Sequence, residues 1–176
     1  MENTYNTKKE FLNIIINKNY YKFLKTKLKQ YRQHGKTTTF KHCRDVAYNS
    51  YLLAKFIESK FNISVDISNL VCSAYMHDMF LYDWHEKANW HRLHGYTHAN
   101  VAMQNAILYC NANEKEQNII KTHMWPLNLT KVPKSKEAWI VSLCDKYTAT
   151  KEVIDATPGY VVVLNILILS NLLLIF

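Results

Sequence analysis

Four histidines and two aspartates in this chain have residue types and spacing that suit chemistry: His42, the adjacent pair His77-Asp78, His98, His123 and Asp145. Each falls where a helical pattern places its inward face. Imidazole nitrogens and carboxylate oxygens together suit divalent ions such as Mn, Fe or Zn. Burying that many ionisable groups without a cation is costly, and a bound metal removes the cost. Taken singly, a histidine on an apolar face is more often a hydrogen-bonded core residue than a ligand. Only the order and spacing of the whole set are specific.

The elements that must position these residues can be read from periodicity and caps. Leu12, Ile16, Tyr20, Leu24, Leu28 and Tyr31 recur every three or four positions and predict one amphipathic helix from Lys8 to Tyr31. Thr37 to Phe40 interrupts that pattern. A second helix, starting at or just before His42, runs through Val46, Ser50, Leu53, Ile57 and Phe61. Asp66 is the N-cap expected for a third, with Leu70, Ala74, His77 and Leu81 inward. Tyr82 to Thr97 has no period and carries Trp84, His85, Trp90, His91 and His94, which predicts a long functional loop. Thr97 would cap a fourth helix, His98 to about Cys110. Asn113 and Glu116 have capping-box spacing and open a helix bearing Ile119, Ile120 and His123, closed by Pro126. Ser135 would cap the last helix, on which Ala138, Val141, Asp145 and Ala149 share a face.

Composition agrees with this outline. The 176 residues, 48% of them hydrophobic, suffice for one core, and only 3 Gly and 3 Pro suit long helices rather than turn-rich sheets. The expected fold is all-α: a single compact bundle over residues 35–159, a basic N-terminal helix over 1–34 that is part of the same domain, and an apolar tail over 160–176. The net charge is +8, and the excess is N-terminal, because the first 41 residues hold 10 Lys/Arg against 2 Glu. Such a segment can attract phosphates, nucleic acid or an anionic membrane, although a solvated helix face is the commoner meaning. No nucleic-acid motif accompanies it. Cys43, Cys72, Cys110 and Cys144 form no CxxC pair, which argues against a disulfide scaffold or zinc knuckle. The start, MENTYNTKKEF, shows no signal-peptide pattern, so the cytoplasm is the default expectation. The uncharged tail YVVVLNILILSNLLLIF would span roughly 26 Å as a helix, against ~30 Å for a hydrocarbon core. Packing of a helix on the domain, or an apolar extension left by a truncated reading frame, is favoured for it over a membrane anchor, and self-association into a homo-oligomer is a further expectation.

The segments FKHCRDVA, AYMHDMFLYDWH, LHGYTHANVAMQNA, IIKTHMWPL and WIVSLCDKYTATKEV resemble the HD-domain superfamily of metal-dependent phosphohydrolases, over Phe40 to Val153. HDMFLYDWH and HMWPL are especially similar to small stand-alone bacterial HD proteins. The resemblance implies an HD-type helical bundle in which His42, His77, Asp78 and Asp145 bind a first metal. Asp78 would bridge to a second ion held by His98 and His123, and His94, one turn before His98, is the alternative to it. The implied cofactor is one or two divalent ions (Mn, Fe, Zn or Mg), and the implied partner is a small phosphorylated substrate such as a nucleotide. Two such ions about 3.5 to 4 Å apart lower the pKa of a water between them and neutralise phosphoryl charge.

Lys146, next to Asp145, is a candidate phosphate contact or a solvated lysine. His85, His91, Arg92 and His94 could contact substrate phosphates or shuttle a proton, although each taken alone is more often a surface residue. Trp84, Trp90 and Trp125 could stack on a base or anchor the loop. Asp83 could orient a ligand or end a helix. The competing expectation is a degenerate HD domain used for metal or nucleotide binding in regulation.

Overall fold

The computed structural model describes residues 2–86 and 92–157. The apolar tail, and with it the expected packing or anchoring, lies outside the described residues, as do Trp90 and His91. Within them the chain is helical: α1 (Glu2–Ile16), α2 (Tyr21–Lys27) with a 3₁₀ turn at Leu28–Gln30, α3 (Thr39–Phe61), α4 (Ile67–Met76), α5 (His94–Cys110), α6 (Glu114–Thr122) and α7 (Lys136–Ala156). The fold is all-α as expected, and strand-like pairing among the described residues is limited to one bridge between Arg32 and Thr38.

Three of the expected caps form. The Asp66 side chain accepts from the Asn69 N–H, Asn113 and Glu116 make both bonds of the capping box, and Ser135 accepts from the Ala138 N–H. Each bond satisfies a donor that the first helical turn leaves without an intrahelical partner. Thr38 caps α3 in the same way, so the helix begins three residues before His42.

Other boundaries differ from expectation. The N-terminal helix is two helices, broken at Asn17–Tyr20, where Lys18 N–H bonds to the Ile15 carbonyl and Tyr21 N–H to that of Lys18. Asn17 and Asn19 favour such a turn because their side chains compete for backbone groups. The buried edge of α1 is also one position earlier than the predicted stripe: Phe11 and Ile15 are buried while Ile16 is 47% exposed. On α3, Phe61 is exposed rather than inward. Helix α4 stops at Met76, and Leu81 lies beyond it with a left-handed φ of 58°. Helix α5 starts one turn early, at His94, so Thr97 is no cap; its hydroxyl donates to the Leu93 carbonyl within the helix. Helix α6 ends at Thr122, before Pro126 could act.

Helix α3 is packed against α4 and α7, α6 against α4, α5 and α7, and α1 against α4. Phe11 and Ile15 from α1, and Leu24 and Leu28 from the α2 segment, join the same buried core as Val46, Leu70 and Ile120. The Phe11 ring meets Tyr48 edge-on at 5.1 Å and stacks on Tyr75 at 6.1 Å. Burying a side chain of this size stabilises by roughly 1.5–3 kcal/mol, so the N-terminal helices are an integral part of the bundle. Lysines 8, 9, 22, 25 and 29 face outward on these helices. All four cysteines are buried and free. Among the described residues no helix is long and apolar enough to cross a membrane.

Candidate metal centre

Five helices deliver the His/Asp set to one place. His42 lies in the first turn of α3, His77 is the C-terminal cap of α4 with Asp78 next to it, His98 is in the second turn of α5, His123 caps the C-terminus of α6, and Asp145 is in the middle of α7. His77-Asp78 and His123 thus sit at helix ends rather than on helix faces. That placement has a chemical consequence, because the partial negative charge of two helix C-termini gathers where a cation would be stabilised. All six residues are buried.

The side chains divide into two groups that share Asp78. His42, His77, Asp78 and Asp145 offer ligand atoms within 4.8 Å of one another, and so do Asp78, His98 and His123. Asp78 Oδ2 lies 3.6 Å from His42 Nε2 and 3.3 Å from His77 Nε2, while its Oδ1 lies 3.2 Å from His98 Nε2 and 3.6 Å from His123 Nε2. Asp145 Oδ1 closes the first group at 3.1 Å from His42 Nε2 and 3.5 Å from His77 Nε2.

The far side of each imidazole fixes its orientation. Nδ1 donates to the Ala74 carbonyl from His77 (2.8 Å), to the His94 carbonyl from His98 (2.8 Å) and to the Ile120 carbonyl from His123 (2.7 Å). His42 Nδ1 donates to Glu152 Oε2 at 3.0 Å. Carbonyls and carboxylates only accept, so the proton must reside on Nδ1, and four Nε2 atoms are left facing inward. Histidines oriented through the other ring nitrogen are the usual arrangement around a metal. His77 Nε2 and Asp78 Oδ1 are buried with no hydrogen-bond partner, despite the short approaches above. Inward-facing nitrogens and carboxylate oxygens left in this state fit a divalent cation.

Without a metal, protons take up part of that demand. Burial disfavours charge on His42, but hydrogen bonds to Asp145 and Glu152 outweigh it and lift its pKa to about 10. Burial likewise opposes charge on His77, and the adjacent Asp78 carboxylate outweighs it and raises the pKa well above the ordinary value. His123 goes the other way: burial and the charge on His77 lower its pKa to about 3, so its imidazole is neutral. Burial would raise the carboxyl pKa values of Asp78 and Asp145, yet both are held well below the usual range, by His77 and His98 at Asp78 and by His42 and His77 at Asp145.

A cavity of about 1160 Å³ opens from this centre to solvent, with Asp78, His98, His123 and Asp145 on its floor. Lys146 lines it half-buried, its Nζ donating to the His123 carbonyl at 2.7 Å and to Asp145 Oδ2 at 3.3 Å. It is therefore not a merely solvated lysine. His94 stands in the wall: its Nδ1 is hydrogen-bonded to the Tyr82 hydroxyl at 2.8 Å, and its ring lies between Trp84 (5.1 Å) and His98 (4.5 Å). It is His98, not His94, that groups with Asp78 and His123. His85 and Arg92 are exposed at the mouth, His85 tied through Nδ1 to Asp83 at 3.0 Å. His91 lies outside the described residues. Trp84 packs against His85 and His94, and Trp125 packs edge-on against Trp139 at 4.8 Å.

Three residues of the site do not stand out in the sequence. Glu152 holds His42, and its position two helical turns after Asp145 on α7 is a periodic signal that could have found it. Gln33, from the segment before α3, donates its Nε2 to Asp78 Oδ2 at 2.6 Å. His34, next to it, lines the cavity with its ring 5.7 Å from that of His42. Neither lies on a regular element, so no periodicity marks them.

The family model described as HD domain matches residues 39–150, more than half of the chain. No curated protein and no solved structure matches it.

Proposed function

The chain belongs to the HD-domain family, and on that premise we propose that it is a phosphohydrolase acting on a small phosphorylated metabolite, a nucleotide or a molecule of similar size, with one or two divalent ions. The observation that carries this reading is the split use of Asp78, whose Oδ2 faces His42 and His77 while its Oδ1 faces His98 and His123. In this reading His42, His77, Asp78 and Asp145 hold one ion, and Asp78, His98 and His123 hold the other. When bound, such ions supply an activated water near neutral pH and neutralise charge on phosphoryl oxygens.

The remaining roles belong to the chain itself. Lys146 steadies Asp145 and the end of α6 with two of its three N–H groups and presents the third toward substrate. His85 and Arg92 at the cavity mouth, with His94 in the wall, contact the phosphates or pass a proton to the leaving group. The cavity has room for a nucleotide-sized molecule, and the shared carboxylate of Asp78 is among the residues that line it.

The test is anaerobic reconstitution with Mn, Fe, Zn or Mg, metal quantification, and a phosphate-release screen over nucleotides, dinucleotides and sugar phosphates. Release that requires metal and disappears on chelation supports the reading. Fully loaded protein that releases no phosphate from any of these overturns it.

A further inference from the structure

The segment that precedes the family match reaches the shared carboxylate of the centre through Gln33. Gln33 is buried, and its Nε2 donates to Asp78 Oδ2 at 2.6 Å, across 45 positions of sequence. Its amide has one productive orientation, because a carboxylate oxygen can only accept and the carbonyl end would repel it. On its other side Oε1 lies 3.4 Å from the Thr39 hydroxyl, whose one proton is shared between Oε1 and the Tyr31 carbonyl at 3.3 Å. Gln33 therefore has both ends of its amide engaged inside a site where other polar atoms have no partner.

The backbone around Gln33 is shaped for this reach. Gln33 N–H bonds to the Thr37 carbonyl at 2.8 Å and Thr37 N–H to that of His34 at 2.9 Å, closing a tight turn flanked by the Arg32–Thr38 bridge. Gly35 makes the turn with φ of +55°, a conformation that side-chain-bearing residues rarely adopt. A Cβ there would also lie 2.9 Å from the Ala156 Cβ at the end of α7. The turn is thus pressed against α7 and cannot withdraw without giving up that contact.

We propose that Gln33 is a positioning residue of the metal centre, resting on the reading of that centre given above. A carboxylate that presents one oxygen to each of two ligand groups must not rotate about its Cβ–Cγ bond, since rotation removes an oxygen from both. The Gln33 Nε2–H occupies one lone pair of Oδ2 and leaves another for a cation, so it pins the carboxylate without competing for it. Residues outside the HD-domain match, from the turn between α2 and α3, then set how well the centre holds its ions.

The proposal is tested with Gln33→Met, which keeps the volume and removes the donor. Manganese binding to the full chain is measured by titration calorimetry, with the melting temperature of the metal-free protein and kcat and KM for phosphate release as companions. Groups that orient metal ligands typically contribute 10- to 100-fold in affinity, so the expected result is a manganese Kd weakened by about that factor. The same variant should show reduced kcat at little-changed KM and nearly unaltered metal-free melting. A Kd within about two-fold of wild type overturns the proposal, whatever happens to the melting temperature, because a merely structural glutamine would move stability alone. If Gln33→Met fails to fold, Thr39→Val, which removes the hydroxyl that steadies the Gln33 amide, makes the same comparison and must also weaken manganese binding. Wild-type protein that takes up no metal overturns the reading of the centre itself, a result distinct from equal binding by wild type and variant.

Discussion

His98 and His123 point their Nε2 atoms at one another across 3.1 Å, each with its Nδ1 proton already committed to a main-chain carbonyl. Two lone pairs cannot rest at that distance without a proton or a cation between them. If the cation is the resident species, His98→Ala or His123→Ala should lower a stoichiometry near two metals per chain toward one, with activity lost before the first group empties. His94→Ala should leave the stoichiometry unchanged, since its ring belongs to the cavity wall. Metal quantification after reconstitution checks both; a full complement of metal in all three variants contradicts the assignment.

Asp78→Asn removes the charge that both groups share with almost no change of volume. Hydrolysis should fall by more than about 100-fold, above the range expected for groups that only orient ligands. Far-UV circular dichroism should remain helical. His42→Ala and Asp145→Ala should act in the same direction, and wild-type turnover in Asp78→Asn would contradict the proposed chemistry.

Metal uptake should release protons. In the metal-free protein His42, with a pKa of about 10, and His77, raised well above its ordinary value, are both protonated at neutral pH. A metal needs their Nε2 lone pairs, so binding at pH 7 should expel about one to two protons per chain, while Asp78 and Asp145, already ionised, contribute none. Apparent affinity should accordingly rise with pH through neutrality, and the share of that rise due to His42 should fade near pH 10, where it loses its proton unaided. Calorimetry in buffers of different ionisation enthalpy counts the protons, and an affinity independent of pH between 6 and 8 would contradict the linkage.

Gly35→Ala should destabilise the chain by about 1–3 kcal/mol, because it combines a left-handed φ with a Cβ crowded against Ala156. At roughly 2–4 °C per kcal/mol for a chain of this size, thermal melting resolves the change. An unaltered melting temperature would mean that the turn relaxes freely away from α7.

Sequence patterning revealed the caps at Asp66, Asn113 and Ser135 because capping is local chemistry, written in residues three apart. It also placed the His/Asp set on elements that do converge. It misjudges the N-terminal region because the helical period of Leu12 and Ile16 is overridden by Phe11, which packs on Tyr48 and Tyr75, and by Ile15, buried in the same core. The start of α5 was missed for a related reason: Leu93 caps it with no side-chain bond, so nothing in the local sequence announces it. Gln33 was invisible because its partner is 45 residues away, and only the fold makes them neighbours.

Three of the four inward-facing histidines are oriented by the oxygens of Ala74, His94 and Ile120, atoms of the polypeptide backbone itself. A point mutation replaces side chains and leaves carbonyls in place, so drift at those three positions cannot by itself delete the acceptor. His42 is the exception, since its orientation depends on the carboxylate of Glu152. A lineage can therefore vary much of the surroundings of this centre while retaining the geometry of His77, His98 and His123, and its most fragile inherited contact is the one between His42 and Glu152.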